Sequence, residues 1–211
     1  MTVPAFSILG RGKAGRALAA AWGSRVELLP HTGVPTAEWI LLAVPDTAIA
    51  EQAARFPGRC VHLSGSLDLD EVPSAHPLTS FSGDVSDWRG TPLALTGEVP
   101  ALIVDAFAAL GFAPFALPRE HKALYHASAV LACGHAATLW LGVEKLLAEA
   151  GIILPAAGLK PLVTTTLQNI FERGAAARTG PFVRGDRDTI ERDAAALPPA
   201  WREIFLKLGA L

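Results

Sequence analysis

Short apolar runs alternate with amphipathic stretches in the first half of the chain. This spacing predicts strands at residues 6–9, 25–29, 39–44, 60–63, 92–95 and 112–117, and helices at residues 13–22, 47–55 and 100–110. Asp46 is the expected N-cap of the second helix. Strands alternating with helices are typical of βαβ units, so we predict an α/β domain with a doubly wound, mostly parallel sheet.

The second half of the chain has a different pattern, with helical spacing alone. Helices are predicted over residues 121–150, 156–173, 188–197 and 201–208, the first with an interruption at Gly134-His135. Residues 66–92 are rich in Ser, Pro, Gly and Asp, so we expect them to be irregular. The sequence predicts a boundary near residue 118, between an α/β domain over 1–118 and a smaller all-helical domain over 119–211.

Three glycines follow the first predicted strand at the spacing Gly-X-Gly-X-X-Gly. Gly10 permits a tight turn, Gly12 lets a phosphate approach the backbone, and Gly15 lets the helix pack closely on the strand. The free N–H groups and the dipole of the helix N-terminus favour an anion. The pattern predicts a Rossmann-like domain that binds a dinucleotide pyrophosphate here. A glycine turn without a ligand is the alternative.

Composition narrows the expected partners. Of the 211 residues 51% are hydrophobic and 18% are charged, which is typical of a folded chain with a sizeable core. The net charge is −2 with both signs scattered, so we expect a small molecule or a second copy of the chain as partner, and no nucleic acid.

Location is inferred from the two cysteines and the apolar runs. Cys60 and Cys133 lie far apart and match neither a disulfide framework nor a metal cluster, so we expect no metal and a reducing compartment. The apolar runs are shorter than a membrane span, and little chain precedes the first strand. We therefore expect a cytoplasmic protein without a signal peptide or membrane partner.

The end of the second strand bears on the choice between NAD and NADP. It lacks the carboxylate that usually binds the NAD ribose, because Glu27 lies within the strand. His31 and Thr32 could donate hydrogen bonds to a 2′-phosphate and Arg11 could add charge, which favours NADP and leaves NAD open. An ordinary loop histidine is the alternative for His31. The predicted cofactor-binding residues, including the ends of the third and fourth strands, are Gly10, Arg11, Gly12, Lys13, Ala14, Gly15, His31, Thr32, Val44, Pro45, Asp46, Ser64 and Gly65.

Three side chains are candidate catalytic proton donors. His76 precedes a proline in the segment expected to be irregular, and His126 lies near the start of the helical half, with Lys122 one turn before it. Histidines that only pack or stabilise a loop are the alternative for both imidazoles. Arg184, in a turn-rich segment, could bind an anionic substrate or pair with Asp186.

The order of these segments resembles a family of two-domain proteins. In that family a Rossmann-like domain precedes a helical domain of unknown function. The matching pieces are residues 10–15, Leu42-Ala43-Val44-Pro45-Asp46, His62-Leu63-Ser64-Gly65, His76-Pro77-Leu78 with Phe81, Tyr125-His126-Ala127, Asn169, and Thr179-Gly180-Pro181 through Arg184-Gly185-Asp186.

The resemblance implies kinship with NADP-dependent reductases such as pyrroline-carboxylate reductase, β-hydroxyacid dehydrogenases and deazaflavin-linked NADP oxidoreductases. In such relatives the helical domain closes the substrate cleft and commonly forms a homodimer. The family pattern has an asparagine where this chain has Gly134, so His135 could replace it. With Arg184 and Asn169, His135 completes the predicted substrate-binding residues.

Three functions are consistent with the sequence. The first is an NADP-dependent oxidoreductase that transfers a hydride between the nicotinamide and a small carbonyl or imine substrate. The second is a sensor or scaffold that binds NADP(H) on the same fold without turnover. The third is binding of an unrelated phosphate-bearing ligand at the glycine turn.

Overall fold

The computed structural model describes residues 4–81 and 87–211. It has two compact units, Met1–Ala137 and Thr138–Leu211. The first unit contains a seven-stranded sheet of order β2-β1-β3-β4-β5-β6-β7. The strands are β1 (Phe6–Leu9), β2 (Val26–Leu29), β3 (Ile40–Leu42), β4 (Cys60–His62), β5 (Ser74–Pro77), β6 (Pro92–Thr96) and β7 (Ala113–Ala116).

Most of the sheet is parallel, as predicted. Strands β1 to β5 run in one direction, β6 is antiparallel to β5, and β7 is parallel to β6. Helices α1 (Lys13–Trp22), α2 (Asp46–Arg55) and α3 (Ala101–Ala109) connect the strands. The predicted fold class, a mostly parallel doubly wound α/β sheet followed by helices, is confirmed.

The two sheet faces bury separate cores. On one face, Phe6 packs edge-to-face on Trp22 and Trp22 on Phe107, each with ring centroids 5.0 Å apart. On the other face, Leu9 and two residues of β3, Ile40 and Leu42, pack against Ile49 of α2. Because side chains alternate along a strand, helices on both faces are needed to cover this apolar sheet.

The sequence prediction missed β5. Its four residues lie within residues 66–92, which were expected to be irregular, and residues 82–86 of that segment lie outside the described residues. The strand exists because Ser74 pairs with His62 of β4 and all four residues pair with β6. These are contacts between distant parts of the chain, and a local pattern carries no sign of them.

A continuous helical stretch follows β7. It comprises a 3₁₀ turn (Arg119–His121), α4 (Lys122–Ala129), a π-helical turn (Val130–His135) and α5 (Ala136–Glu149). The π turn lies at the interruption expected at Gly134-His135. By length and composition this stretch could span a membrane, with a mean hydropathy of 1.2 and none of its apolar window buried. One such helix in the described ranges is weak evidence for a span.

The second unit is helical. It contains most of α5, then α6 (Lys160–Arg173), α7 (Pro181–Arg184), α8 (Arg187–Ala196) and α9 (Pro199–Gly209). Gly142 and Gly209 let Trp201 and Phe182 pack against the backbone. The compact units divide at Ala137, whereas strands give way to helices after β7. The domain boundary near residue 118 stays a prediction.

Candidate active site

Five parallel strands, β1 to β5, end at the same edge of the sheet. Strands β1, β3, β4 and β5 are consecutive neighbours, so about 14 Å separates the first from the last. This carboxyl edge carries the glycine turn after β1, Val44 to Asp46 after β3, and Ser64 to Ser66 after β4. Ligands of open α/β sheets bind at such an edge.

Two glycines of the turn after β1 are required by packing. A Cβ at Gly10, where φ is +119°, would lie 2.2 Å from the carbonyl oxygen of Ala43. A Cβ at Gly15 would lie 2.0 Å from the carbonyl oxygen of Gly10. These close contacts hold β1, β3 and α1 together, as the motif predicts.

Packing within the protein explains Gly10 and Gly15 but does not explain the glycine at position 12. Its φ is −71° and a Cβ there would meet no atom of the described chain within 4 Å, so protein packing does not require a glycine. The added methyl group would fill the space beside the first turn of α1, where N–H groups point outward and no acidic side chain competes. Arg11 and Lys13 are exposed beside it. These residues fit a dinucleotide pyrophosphate.

The Glu27 carboxylate is hydrogen-bonded within the protein and is not presented to a ribose. One carboxylate oxygen accepts hydrogen bonds from Ser7 Oγ at 2.8 Å and from the backbone N and Oγ1 of Thr36, both at 3.1 Å. Burial raises the pKa of Glu27, but these hydrogen bonds outweigh it and the pKa is lowered. The end of β2 therefore offers no free carboxylate from this residue.

The loop after β2 is held by a residue that sequence reasoning missed. Arg55 Nη1 donates to the carbonyl oxygen of His31 at 2.6 Å, and Nη2 donates to those of Thr32 and Gly33 at 3.4 and 3.2 Å. The loop starts beside the glycine turn, since the Gly10 N–H donates to Leu29 O at 2.9 Å. His31 and Thr32 are exposed. Their roles toward a 2′-phosphate stay predictions.

Asp46 does not cap α2 as expected. It is the first residue of the helix, and Pro45 is the N-cap residue. Its carboxylate instead accepts hydrogen bonds from Ser64 Oγ at 2.8 Å and Ser66 Oγ at 2.9 Å. Asp46 therefore ties the end of β3 to the end of β4, a contact between strands that local spacing does not indicate.

Gly65 makes room for an imidazole. A Cβ at this position would lie 2.8 Å from both Cε1 and Nε2 of His76. His76 lies on strand β5 rather than in an irregular segment. Its Nδ1 is 3.3 Å from the phenol oxygen of Tyr125, and its ring centroid is 6.2 Å from that of His126. The structure thus brings both predicted imidazoles together and adds Tyr125, which the motif Tyr-His-Ala contained without showing its role.

Lys122 is buried next to the group formed by His76, Tyr125 and His126. The residue is 2% exposed, and its Nζ donates to Ser64 O at 3.2 Å and Ser74 Oγ at 2.5 Å. Burial lowers the pKa of the ammonium group. Direct proton donation by Lys122 stays a prediction, and the observed contacts hold the ends of β4 and β5 together.

Arg119 is a second residue that sequence reasoning missed. Its guanidinium donates to Asp68 Oδ1 at 2.5 Å and to the carbonyl oxygens of Leu69 and Asp70 at 3.0 and 2.9 Å. Arg119 therefore anchors the segment after β4 to the start of the helical stretch. The signal available in the sequence was a lone arginine after Pro118.

The three predicted substrate-binding residues are spread over separate elements. His135 is exposed in the π turn, Asn169 accepts a hydrogen bond from Arg173 Nη2 at 3.1 Å on α6, and Arg184 is exposed at the end of α7. Asp186 caps α8 by accepting from the Thr189 N–H at 3.2 Å. Substrate binding by these residues stays a prediction. Within residues 4–81 and 87–211, no cluster of three or more His, Cys, Asp or Glu could hold a metal.

The buried His62 and the half-buried His76 make stability depend on pH. Burial lowers the pKa of His62 and that of His76 to about 4, helped by the Lys122 charge near His62 and by His126 and Lys122 near His76. In the unfolded chain both titrate near 6.5, so that state binds more protons between pH 6.5 and 4. The free energy of unfolding should therefore fall as the pH drops through this window, by roughly 3 kcal/mol for each histidine.

Urea denaturation at pH 7 and pH 4.5 measures this decrease. In His76→Gln we expect the decrease in the free energy of unfolding to be about half as large, because one of the two groups is removed. His31→Gln, which removes an exposed imidazole, should retain all of it. A decrease as large in His76→Gln as in the wild type would contradict the assignment.

Comparison with solved structures places this geometry in a known fold. A candidate NADP oxidoreductase from Bacteroides fragilis is 19% identical, with a TM-score of 0.75, covering 97% of this chain and 95% of its own. A Thermotoga maritima protein is 22% identical, with a TM-score of 0.74 and coverage of 97% and 96%. A reductive aminase from Aspergillus terreus, solved with NADPH4, cyclohexanone and allyl amine, is 15% identical, with a TM-score of 0.65 and coverage of 97% and 90%.

These likenesses establish a Rossmann-like fold shared with NADP-dependent oxidoreductases. No curated protein matches the sequence. Residues 91–211, more than half of the chain, match a domain of unknown function, DUF2520. The chain therefore belongs to the DUF2520 family.

Proposed function

We propose that the protein is an NADP-dependent oxidoreductase that transfers a hydride between the nicotinamide and a small carbonyl or imine compound. The observation that carries this proposal is a continuous row of contacts along the carboxyl edge. It runs from the glycine turn through Ala43 and Asp46 to Ser64, and from Gly65 to His76 and Tyr125. The row joins an anion-binding turn to a group of proton-bearing side chains.

The cofactor would supply the hydride, and the chain would bind and orient it. The N–H groups after Gly12 would hold the pyrophosphate. Arg11, His31 and Thr32 would accommodate a 2′-phosphate, since Glu27 is engaged by Ser7 and Thr36. Val44, Pro45 and Gly65 would line the path toward His76. This preference for NADP is supported by the solved reductive aminase, which holds NADPH4.

The proton donor proposed from the sequence is His126 or His76, with Lys122 behind them. His76 is neutral at pH 7 because its pKa is about 4, and Lys122 is buried. Arg184, Asn169 and His135 would bind the substrate.

A sensor or scaffold function without turnover is the second candidate. The feature that favours it is Gly134, at a position where the family resemblance implies an asparagine. Oxidation of NADPH with a panel of ketones, aldehydes and imines separates the two functions, because a sensor binds NADPH and turns over none of them.

We further propose a cytoplasmic homodimer that associates through the helical half. In the second unit, Ile153 is 92%, Phe171 84% and Leu162 66% exposed. Leu139, Trp140, Leu162 and their neighbours line an apolar groove of about 310 Å³. Apolar patches of this kind mark protein interfaces. The two free cysteines, Cys60 and Cys133, are consistent with a reducing compartment.

Replacement of one glycine tests cofactor binding. Gly12→Ala should weaken NADPH binding at least about tenfold in calorimetry, because the methyl group fills the space beside the helix N-terminus. Its melting temperature should stay near the wild-type value, since φ at Gly12 suits any residue.

Gly134→Ala is the matched control and should bind NADPH normally, because its Cβ meets only an ordinary contact at 3.6 Å. The wild type should bind NADPH more tightly than NADH. Wild-type affinity in Gly12→Ala, or no binding of either coenzyme to the wild type, would refute the proposal.

A charge introduced on the helical half tests the homodimer. Phe171→Glu should convert the dimer to a monomer in sedimentation velocity, because a buried carboxylate without a partner is costly. Val34→Glu, at a 76% exposed position in the first unit, should remain a dimer. A monomeric wild type at micromolar concentration would contradict the interface.

A further inference from the structure

We propose that Tyr125 is the catalytic proton donor of this site and that His76 is the residue that positions it. The proposal rests on the proposed function. It differs from the sequence expectation, in which His126, His76 or Lys122 supplies the proton.

The first argument is position. Tyr125 lies at the end of the contact row along the carboxyl edge, and its phenol oxygen is 3.3 Å from His76 Nδ1. The His76 ring packs against Gly65, where even a methyl group would lie 2.8 Å away, so the imidazole has little freedom to move. The phenol is therefore held at one place on this edge by a partner that is itself held.

The second argument is the protonation state of each group. Burial raises the pKa of Tyr125, so the phenol carries its proton at neutral pH. The neutral His76 has one ring N–H, and we assign it to Nδ1, donating to the phenol oxygen. The phenol proton then remains free for a substrate, and the same N–H stabilises the phenolate left behind.

The surroundings of Tyr125 suit this role. The Phe115 ring on β7 lies 6.1 Å from its ring, His126 follows it on α4, and Lys122 lies one turn before it. The nearby carboxylates are engaged elsewhere, with Asp46 accepting from two serines and Asp68 from Arg119. A phenolate here would be stabilised by the His76 N–H.

The step balances for a neutral carbonyl substrate. The carbonyl carbon gains the hydride of NADPH, the C=O π electrons move to oxygen, and that oxygen takes the Tyr125 proton. The phenolate regains a proton from solvent. Reduction of a preformed iminium cation gives a neutral amine without any proton donor. A proton donor at Tyr125 therefore favours a carbonyl compound over an iminium ion as the substrate.

The chain contains one tyrosine, so the tyrosinate absorbance near 295 nm reports on Tyr125 alone. We expect saturating NADP⁺ to lower its pKa by about one unit, because the oxidised nicotinamide brings a positive charge next to the phenol. Adenosine 2′,5′-bisphosphate, which lacks the nicotinamide, should leave the pKa unchanged. Tyr125→Phe should abolish the signal, which confirms its source.

The outcomes separate the two proposals. If calorimetry detects no NADP⁺ binding, the proposed function fails and this inference with it. If NADP⁺ binds and shifts the pKa no more than the bisphosphate does, Tyr125 does not face the nicotinamide and this inference alone is overturned.

Two variants test the assigned roles. Tyr125→Phe should reduce kcat about 100-fold with unchanged NADPH affinity, as expected for loss of a proton donor. His76→Phe, which keeps a ring beside Gly65, should raise the pKa of Tyr125 because the phenolate loses its N–H donor. A lower pKa in His76→Phe would show that His76 accepts the phenol proton and would overturn the assignment.

Discussion

The carboxyl edge depends on backbone segments that approach closer than any side chain would permit. The Gly15 position lies so near the Gly10 carbonyl that a methyl group would be 2.0 Å from its oxygen, and a methyl group at Gly65 would lie 2.8 Å from the His76 ring. The first contact sets the start of α1 above β1, where its N–H groups can bind an anion. The second places an imidazole over the end of β4. Both ends of the candidate site therefore rest on steric constraints.

Between these ends, polar contacts fix the spacing of the strands. Asp46 accepts two serine hydroxyls from the next strand end, and Lys122 bridges Ser64 and Ser74. The buried ammonium group of Lys122 disfavours protonation of the nearby histidines. Burial together with the Lys122 charge keeps His62 and His76 neutral, so they are hydrogen-bonding groups rather than acids at neutral pH.

Local signals in the sequence account for most, but not all, of the first half of the fold. Strand β1 and helix α1 have the predicted bounds, because apolar runs and the glycine motif are local properties. Strand β5 was missed because its stability comes from pairing with β6 across the chain. The wrong N-cap assignment of Asp46 has a similar cause, since its serine partners lie on another strand end.

The candidate site was predictable in its parts but not in its arrangement. Gly12 and His76 could be selected by residue type and spacing. The contact between His76 and Tyr125, and the anchoring roles of Arg119 and Arg55, depend on the three-dimensional positions of residues far apart in sequence. Pattern analysis therefore identifies the chemistry available at this edge, and the folded chain determines which groups meet.

The most direct test of the account is a crystal structure of the protein with NADP⁺. It should show the pyrophosphate on the first turn of α1 and the nicotinamide ring facing His76 and Tyr125. A coenzyme bound with its nicotinamide away from this pair, or with its phosphates away from Gly12, would contradict the central claim that one continuous edge joins the two.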